Sequence, residues 1–188
     1  MKKLLKNCRI ISPDVDIARG YVIVENDTIT AVGMGDAPQF DGEILDLDGK
    51  NLLPGFIDIH FHGCMGQDFN DASLQGLCQM ASYELQNGIT SICPATMTLP
   101  EENLQQIVNC SKLFGETHWD KKMANLLGIN LEGPFISEQK KGAQNSKYIL
   151  PPDSAMFKRL LDASQGFLKL TTLAPETKGA KEFMFPIQ

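Results

Sequence analysis

Pro54-Gly55-Phe56-Ile57-Asp58-Ile59-His60-Phe61-His62-Gly63 is the stretch whose reading decides the fold. As an extended strand it alternates, with Phe56, Asp58, His60 and His62 on one side and Ile57, Ile59 and Phe61 on the other. Residues two apart on a strand stand side by side, so His60 and His62 can share one ion, and neutral imidazole is a common ligand for zinc and similar metals. Gly63 lets the chain turn away sharply. A His-x-His pair alone admits two readings, a metal site or two partly buried histidines closing a strand. The Pro-Gly entry and the apolar back face favour the metal.

Working outward, the residues before Pro54 read as β structure. Strands are expected at 4–11 and 20–34, the latter broken by turn chemistry at Glu25-Asn26-Asp27, and from Glu43 to Leu47 after the Asp41-Gly42 turn. This block, 1–53, is read as a small β-sandwich segment without functional residues. After Gly55 the rhythm changes to strands alternating with helices. Strand 55–62 is followed by a Gly- and Asp-rich loop and a helix from Ser73, a plausible N-cap, to Gln86, closed at Asn87-Gly88. Further strands are expected at 89–97, Leu126–Glu132 and Phe167–Ala174. Helices are expected from Pro100 to Leu113, closed by Gly115, and from Pro152 to Ala163. That alternation means parallel strands with crossover helices, in which ligand sites form at the carboxyl ends of the strands.

At one such end stands Asn130-Leu131-Glu132-Gly133-Pro134. Gly128, Asn130 and Glu132 share a face. A carboxylate buried there without a partner would cost several kcal/mol. Either a metal ion supplies the positive charge, or Glu132 pairs with Lys140 or Lys141. Downstream, Lys140-Lys141-Gly142-Ala143-Gln144-Asn145 reads either as a loop bringing backbone close to a ligand or as a solvated turn.

Composition narrows the function classes. The 188 residues are 43% hydrophobic and 21% charged, ordinary for a globular chain, with a formal net charge of -6 that disfavours nucleic acid. Five cysteines without Cys-x-x-Cys spacing speak against a disulfide framework and fit a reducing, cytoplasmic setting. Cys64, near the histidines, reads as a passive small side chain. Lys6, Asn7 and Arg9 interrupt the apolar start, so a secretion signal is rejected, and no stretch is long enough to span a membrane. His118, in a polar connector, reads as a surface residue.

The Pro54–Gly63 stretch resembles the first-strand signature of the amidohydrolase superfamily. Leu131-Glu132-Gly133-Pro134-Phe135 with Lys140-Lys141-Gly142-Ala143, and Thr172-Leu173-Ala174-Pro175-Glu176, resemble more narrowly the N-acetylglucosamine-6-phosphate deacetylases. The resemblance spans 4–176. It implies an α/β fold: a partial (β/α)8 TIM-type barrel of about four β/α units over 54–188, preceded by the β-sandwich segment. It implies a divalent metal, zinc or iron, as one or two ions, with Glu132 a ligand and His60 and His62 holding a further ion in binuclear members. The implied substrate is a small amino-sugar phosphate, N-acetylglucosamine 6-phosphate, hydrolysed to glucosamine 6-phosphate and acetate. Backbone at Ala143 would touch the sugar, and Gln144 stands where relatives often have His. The full-length family form would be a homodimer.

The same resemblance places two metal-binding histidines, the catalytic aspartate and most sugar- and phosphate-binding groups beyond residue 188, so no catalytic residue is assigned within the chain. The first and last of the four strands are expected to be open edges. A fragment of a longer deacetylase, an inactive truncated product, and two copies joined at their edges all remain open. So do an amidohydrolase acting on a cyclic amide or another N-acetyl sugar, and a non-catalytic remnant.

Overall fold

The computed structural model describes residues 1–117 and 122–184, in two compact units, Met1–Pro54 and Gly55–Gln188. His118 lies outside the described residues. The fold is mixed α/β.

The first unit is a single mixed sheet. Strands β1 (Lys2–Ser12), β2 (Val15–Glu25) and β3 (Thr28–Met34) form an antiparallel meander. Two short strands, β4 (Glu43–Asp46) and β5 (Asn51–Leu52), run parallel to β1. The sequence reading began the second strand at residue 20, but pairing starts at Val15, directly after a turn at Pro13-Asp14. Cys8, Ile10 and Val22 are buried together. Beside them an apolar groove of about 340 Å³, lined among others by Leu5, Val24, Ile29 and Val32, remains open, and Ile29 is 63% exposed.

The second unit is a set of parallel strands crossed by helices. Strand β6 (Phe56–Asp58) leads through the two-residue hairpin β7 (Gly63–Cys64) and β8 (Gln67–Asp68) to helix α1 (Leu74–Gln86). Strand β9 (Ile89–Ile92), helix α2 (Glu101–Thr117), strands β10 (Asn125–Leu126) and β11 (Ile129–Glu132), helix α3 (Ser154–Ser164), strand β12 (Leu168–Thr172) and helix α4 (Ala180–Met184) follow. The strands pair in parallel as β10-β9-β6 and β11-β12, and a parallel bridge from Ala95 to Asn130 links the two groups.

Local chemistry explains the helices. The Ser73 hydroxyl accepts the Gly76 N–H at 3.1 Å, an N-cap contact, and α1 buries Leu77, Met80, Ala81 and Glu84 at helical spacing. Asp153 caps α3 by accepting from the Ala155 and Met156 N–H groups. In α2, Leu104, Ile107, Val108, Ser111 and Phe114 form the buried stripe. Arg159 of α3 forks onto Glu101 of α2, at 2.6 and 2.8 Å. Ile92, Ile129, Leu131, Phe135 and Phe157 complete one continuous core.

Three expectations need correction. Gly115 does not close α2; the helix runs to Thr117, and a Cβ on Gly115 would lie 2.1 Å from the Phe167 ring. The glycine therefore admits an aromatic ring against the helix. The expected strand 126–132 is two pieces, because at Leu127-Gly128 the chain changes partners, from β9 to β12. The expected strand 55–62 pairs regularly only over Phe56–Asp58; beyond that, the Asp58 and Phe61 carbonyls accept the Cys93 and Ala95 N–H groups. The first strand is an open edge, as expected: among the described residues β6 pairs only with β9, and Ile57 and Ile59 are 59% and 55% exposed. No helix among the described residues is long and apolar enough to cross a membrane.

Candidate metal centre

His60 and His62 extend β6 at its carboxyl end, and Glu132 ends β11. The chain after β9 lies between them. Ala95 bridges to Asn130 in parallel, and the Ala95 carbonyl receives His62 Nδ1 at 3.0 Å. A carbonyl can only accept, so Nδ1 carries the His62 proton and Nε2 presents its lone pair. That nitrogen faces Glu132 Oε2 at 3.3 Å, and His60 Nε2 stands 2.9 Å from the same oxygen. The imidazole rings meet edge to face, with centroids 5.2 Å apart.

Glu132 is held from several sides. Its Oε1 accepts from Gln144 Nε2 at 2.8 Å, and Gln144 Oε1 accepts the Thr98 N–H at 2.7 Å. Thr96 Oγ1 accepts the Glu132 N–H, while Thr98 Oγ1 donates to the Glu132 carbonyl. Gly133 has φ of +85° and leaves room for Thr98, whose Oγ1 would lie 2.2 Å from any Cβ there. Neither Lys140 nor Lys141 pairs with Glu132 among the described residues, which removes the lysine reading of that carboxylate. Lys141 instead donates to the Gln144 carbonyl at 2.9 Å.

One atom remains without a partner of the ordinary kind. Glu132 Oε2 is buried and accepts no aligned hydrogen bond, although two imidazole nitrogens approach it closely. An anionic oxygen in that position calls for a cation. The three ligand atoms lie within 4.8 Å of one another. Two ligands each about 2.1 Å from one ion sit about 3.0–3.4 Å apart for bond angles between 90° and tetrahedral. The two histidine–glutamate separations, 2.9 and 3.3 Å, lie at or close to that range, and the nitrogen–oxygen donor set suits a divalent metal.

The sequence reading singled out His60, His62 and Glu132, and the structure brings them together. Ala143 is exposed on the loop beyond, whereas Gln144 is 3% exposed and turned onto Glu132. Three residues were passed over: Thr96, Thr98 and Asn130, all buried. Asn130 shares a face with Glu132 two residues away, the spacing already legible in the sequence. Its Nδ2 donates to the Ile59 carbonyl at 3.0 Å and lies 3.3 Å from His60 Nδ1. Cys64 sits beside the buried Glu84; burial, then the charge and hydrogen bond of that carboxylate, push its thiol up to about 11.

No family model matches the chain. Curated relatives do. The N-acetylglucosamine-6-phosphate deacetylase of Bacillus subtilis is 37% identical over 175 residues, which are 92% of this chain and 44% of that protein. The human N-acetylglucosamine-6-phosphate deacetylase is 37% identical over 138 residues, covering 70% and 32% respectively. Among solved structures, the Pasteurella multocida N-acetylglucosamine-6-phosphate deacetylase superposes with a TM-score of 0.85 at 28% identity, over 96% of this chain and 47% of that one. The Mycobacterium smegmatis deacetylase in complex with N-acetyl-D-glucosamine-6-phosphate gives 0.83 at 27% identity, over 95% and 45%. The chain thus spans less than half the length of the relatives it matches. By sequence and by fold, the chain is similar to part of the N-acetylglucosamine-6-phosphate deacetylases.

Proposed function

We propose that this chain is the metal-binding part of an enzyme that hydrolyses the acetamide of N-acetylglucosamine 6-phosphate, releasing acetate and glucosamine 6-phosphate. The observation that carries the reading is the convergence of His60, His62 and Glu132 on one point, with a buried carboxylate oxygen left for a cation. The reading takes residues 54–188 as four β/α units of a (β/α)8 barrel and 1–53 as part of a β-sandwich. The exposed Ile57 and Ile59 on the β6 edge support the first, and the open apolar groove of the first sheet supports the second.

His60, His62 and Glu132 would hold zinc or iron, as one ion or as part of a two-ion centre. A bound divalent ion lowers the pKa of a water molecule and polarises an amide carbonyl. The chain's own residues do the positioning. Gln144 fixes one oxygen of Glu132 and leaves the other facing the histidines, and the Ala95 carbonyl aims His62 Nε2 inward. The exposed Ala143 backbone and Gln144 lie on the loop that would border the sugar. The reaction needs an acid for the departing amine, and no residue of this chain is assigned to that role. The reading also takes the protein to be cytoplasmic and, as a whole, homodimeric.

The test measures divalent-metal content and acetate release from N-acetylglucosamine 6-phosphate by the polypeptide as it occurs in the cell. Unphosphorylated N-acetylglucosamine and a cyclic amide serve as comparison substrates. Metal uptake lost in Glu132→Ala, together with preference for the phosphorylated sugar, is the expected result. Metal content unchanged by Glu132→Ala would remove the metal centre, and preference for a comparison substrate would remove the assigned substrate.

A further inference from the structure

We infer that Asn130 is a positioning residue that selects the tautomer of His60, keeping its proton on Nε2 and so restraining the site's affinity for a divalent cation. The inference rests on the metal reading of His60, His62 and Glu132 and deepens it.

The two imidazoles look equivalent in sequence but are wired in opposite senses. His62 Nδ1 meets an acceptor, the Ala95 carbonyl, so its proton stays on Nδ1 and Nε2 is bare. His60 Nδ1 meets a donor. Asn130 Nδ2 lies 3.0 Å from the Ile59 carbonyl, which can only accept, and this fixes which end of the amide faces that side. The same nitrogen stands 3.3 Å from His60 Nδ1 and has a second hydrogen to offer. A neutral His60 ring accepting at Nδ1 carries its proton on Nε2, which lies 2.9 Å from Glu132 Oε2 without being aligned to donate to it.

Ligation through Nε2 requires that proton to move to Nδ1, where it would confront the Asn130 N–H. Asn130 is 7% exposed and joined by its backbone to the Thr96 N–H and the Pro94 carbonyl, so it has little freedom to retreat. Metal-ligating histidines ordinarily give their second N–H to an acceptor, and changing that outer partner typically alters affinity about 10- to 100-fold. Here the outer partner is of the opposite kind for one histidine of the pair. His62 and Glu132 are ready for an ion, and His60 joins only by giving up a hydrogen bond.

The experiment begins with the metal-free full chain, its histidines labelled with ¹⁵N, at about pH 8. Long-range proton–nitrogen correlations report which ring nitrogen carries the proton. The expected result is Nε2 for His60 and Nδ1 for His62. Asn130→Asp supplies an acceptor at His60 Nδ1; it is expected to move the His60 proton to Nδ1 and to tighten zinc binding about tenfold in competition with a chromophoric chelator. Asn130→Leu removes the donor without adding charge and is expected to bind zinc several-fold more tightly than the parent. An Nδ1 proton on His60 in the parent chain overturns the inference. So does tighter zinc binding by the Asp variant with the proton unmoved, or weaker binding by the Leu variant. Absence of zinc binding in all three proteins would instead remove the metal reading, and this inference with it.

Discussion

Replacing Gln144 by leucine tests whether the Glu132 carboxylate is held by a closed hydrogen-bond relay. Gln144 is 3% exposed, so its amide meets protein rather than water. The substitution keeps a similar volume but strands two groups: the Thr98 N–H, 2.7 Å from Gln144 Oε1, and Glu132 Oε1, 2.8 Å from Gln144 Nε2. A buried polar group left unsatisfied costs about 1–3 kcal/mol. Thr98 is 1% exposed and takes a middle value, while the Glu132 side chain keeps 21% exposure and takes a lower one. Together they predict a loss of about 2–4 kcal/mol, read as a lower midpoint in urea unfolding. The Lys141 bond to the Gln144 backbone carbonyl is untouched by the change. In a Glu132→Ala background one stranded group is already gone, so the same substitution should cost about 1–2 kcal/mol less. A loss under about 0.5 kcal/mol in the parent chain, or an equal loss in both backgrounds, would refute the relay.

Gly115→Ala should destabilise the chain by about 1–3 kcal/mol, although alanine favours helices, because its Cβ would sit 2.1 Å from the Phe167 ring. Adding Phe167→Ala should recover part of the loss in thermal unfolding, and a more stable Gly115→Ala would refute the packing argument. For Cys64, a thiol raised to about 11 stays protonated where an ordinary one near 9 has begun to ionise. At pH 8 its thiolate fraction is about a hundredfold lower, so iodoacetamide labelling followed by peptide mass spectrometry should be slow and still rising steeply at pH 10; a rate half-maximal near pH 9 and levelling off by about pH 10 would contradict it. Glu84→Gln should speed the labelling, since the Glu84 charge contributes to the shift.

Sequence alone determined the local features of this protein. The Ser73 cap and the apolar spacing after it marked α1, and Pro100 marked the start of α2, because caps and helical periods act within one or two turns. Alternating strands and helices placed His60, His62 and Glu132 at carboxyl ends, and motif resemblance pointed to the deacetylases. Tertiary structure decided what depends on distant partners. Position 115, inside α2, is a glycine because Phe167, far along the chain, needs the space. Alternation puts Ile57 and Ile59 on one face of the first strand, but the extent of their exposure follows from which elements pack beside it. The two histidines of one tripeptide received opposite hydrogen-bond partners, Ala95 after β9 and Asn130 in β11. A proton's place on an imidazole depends on the atom facing it, and that atom is set by folding.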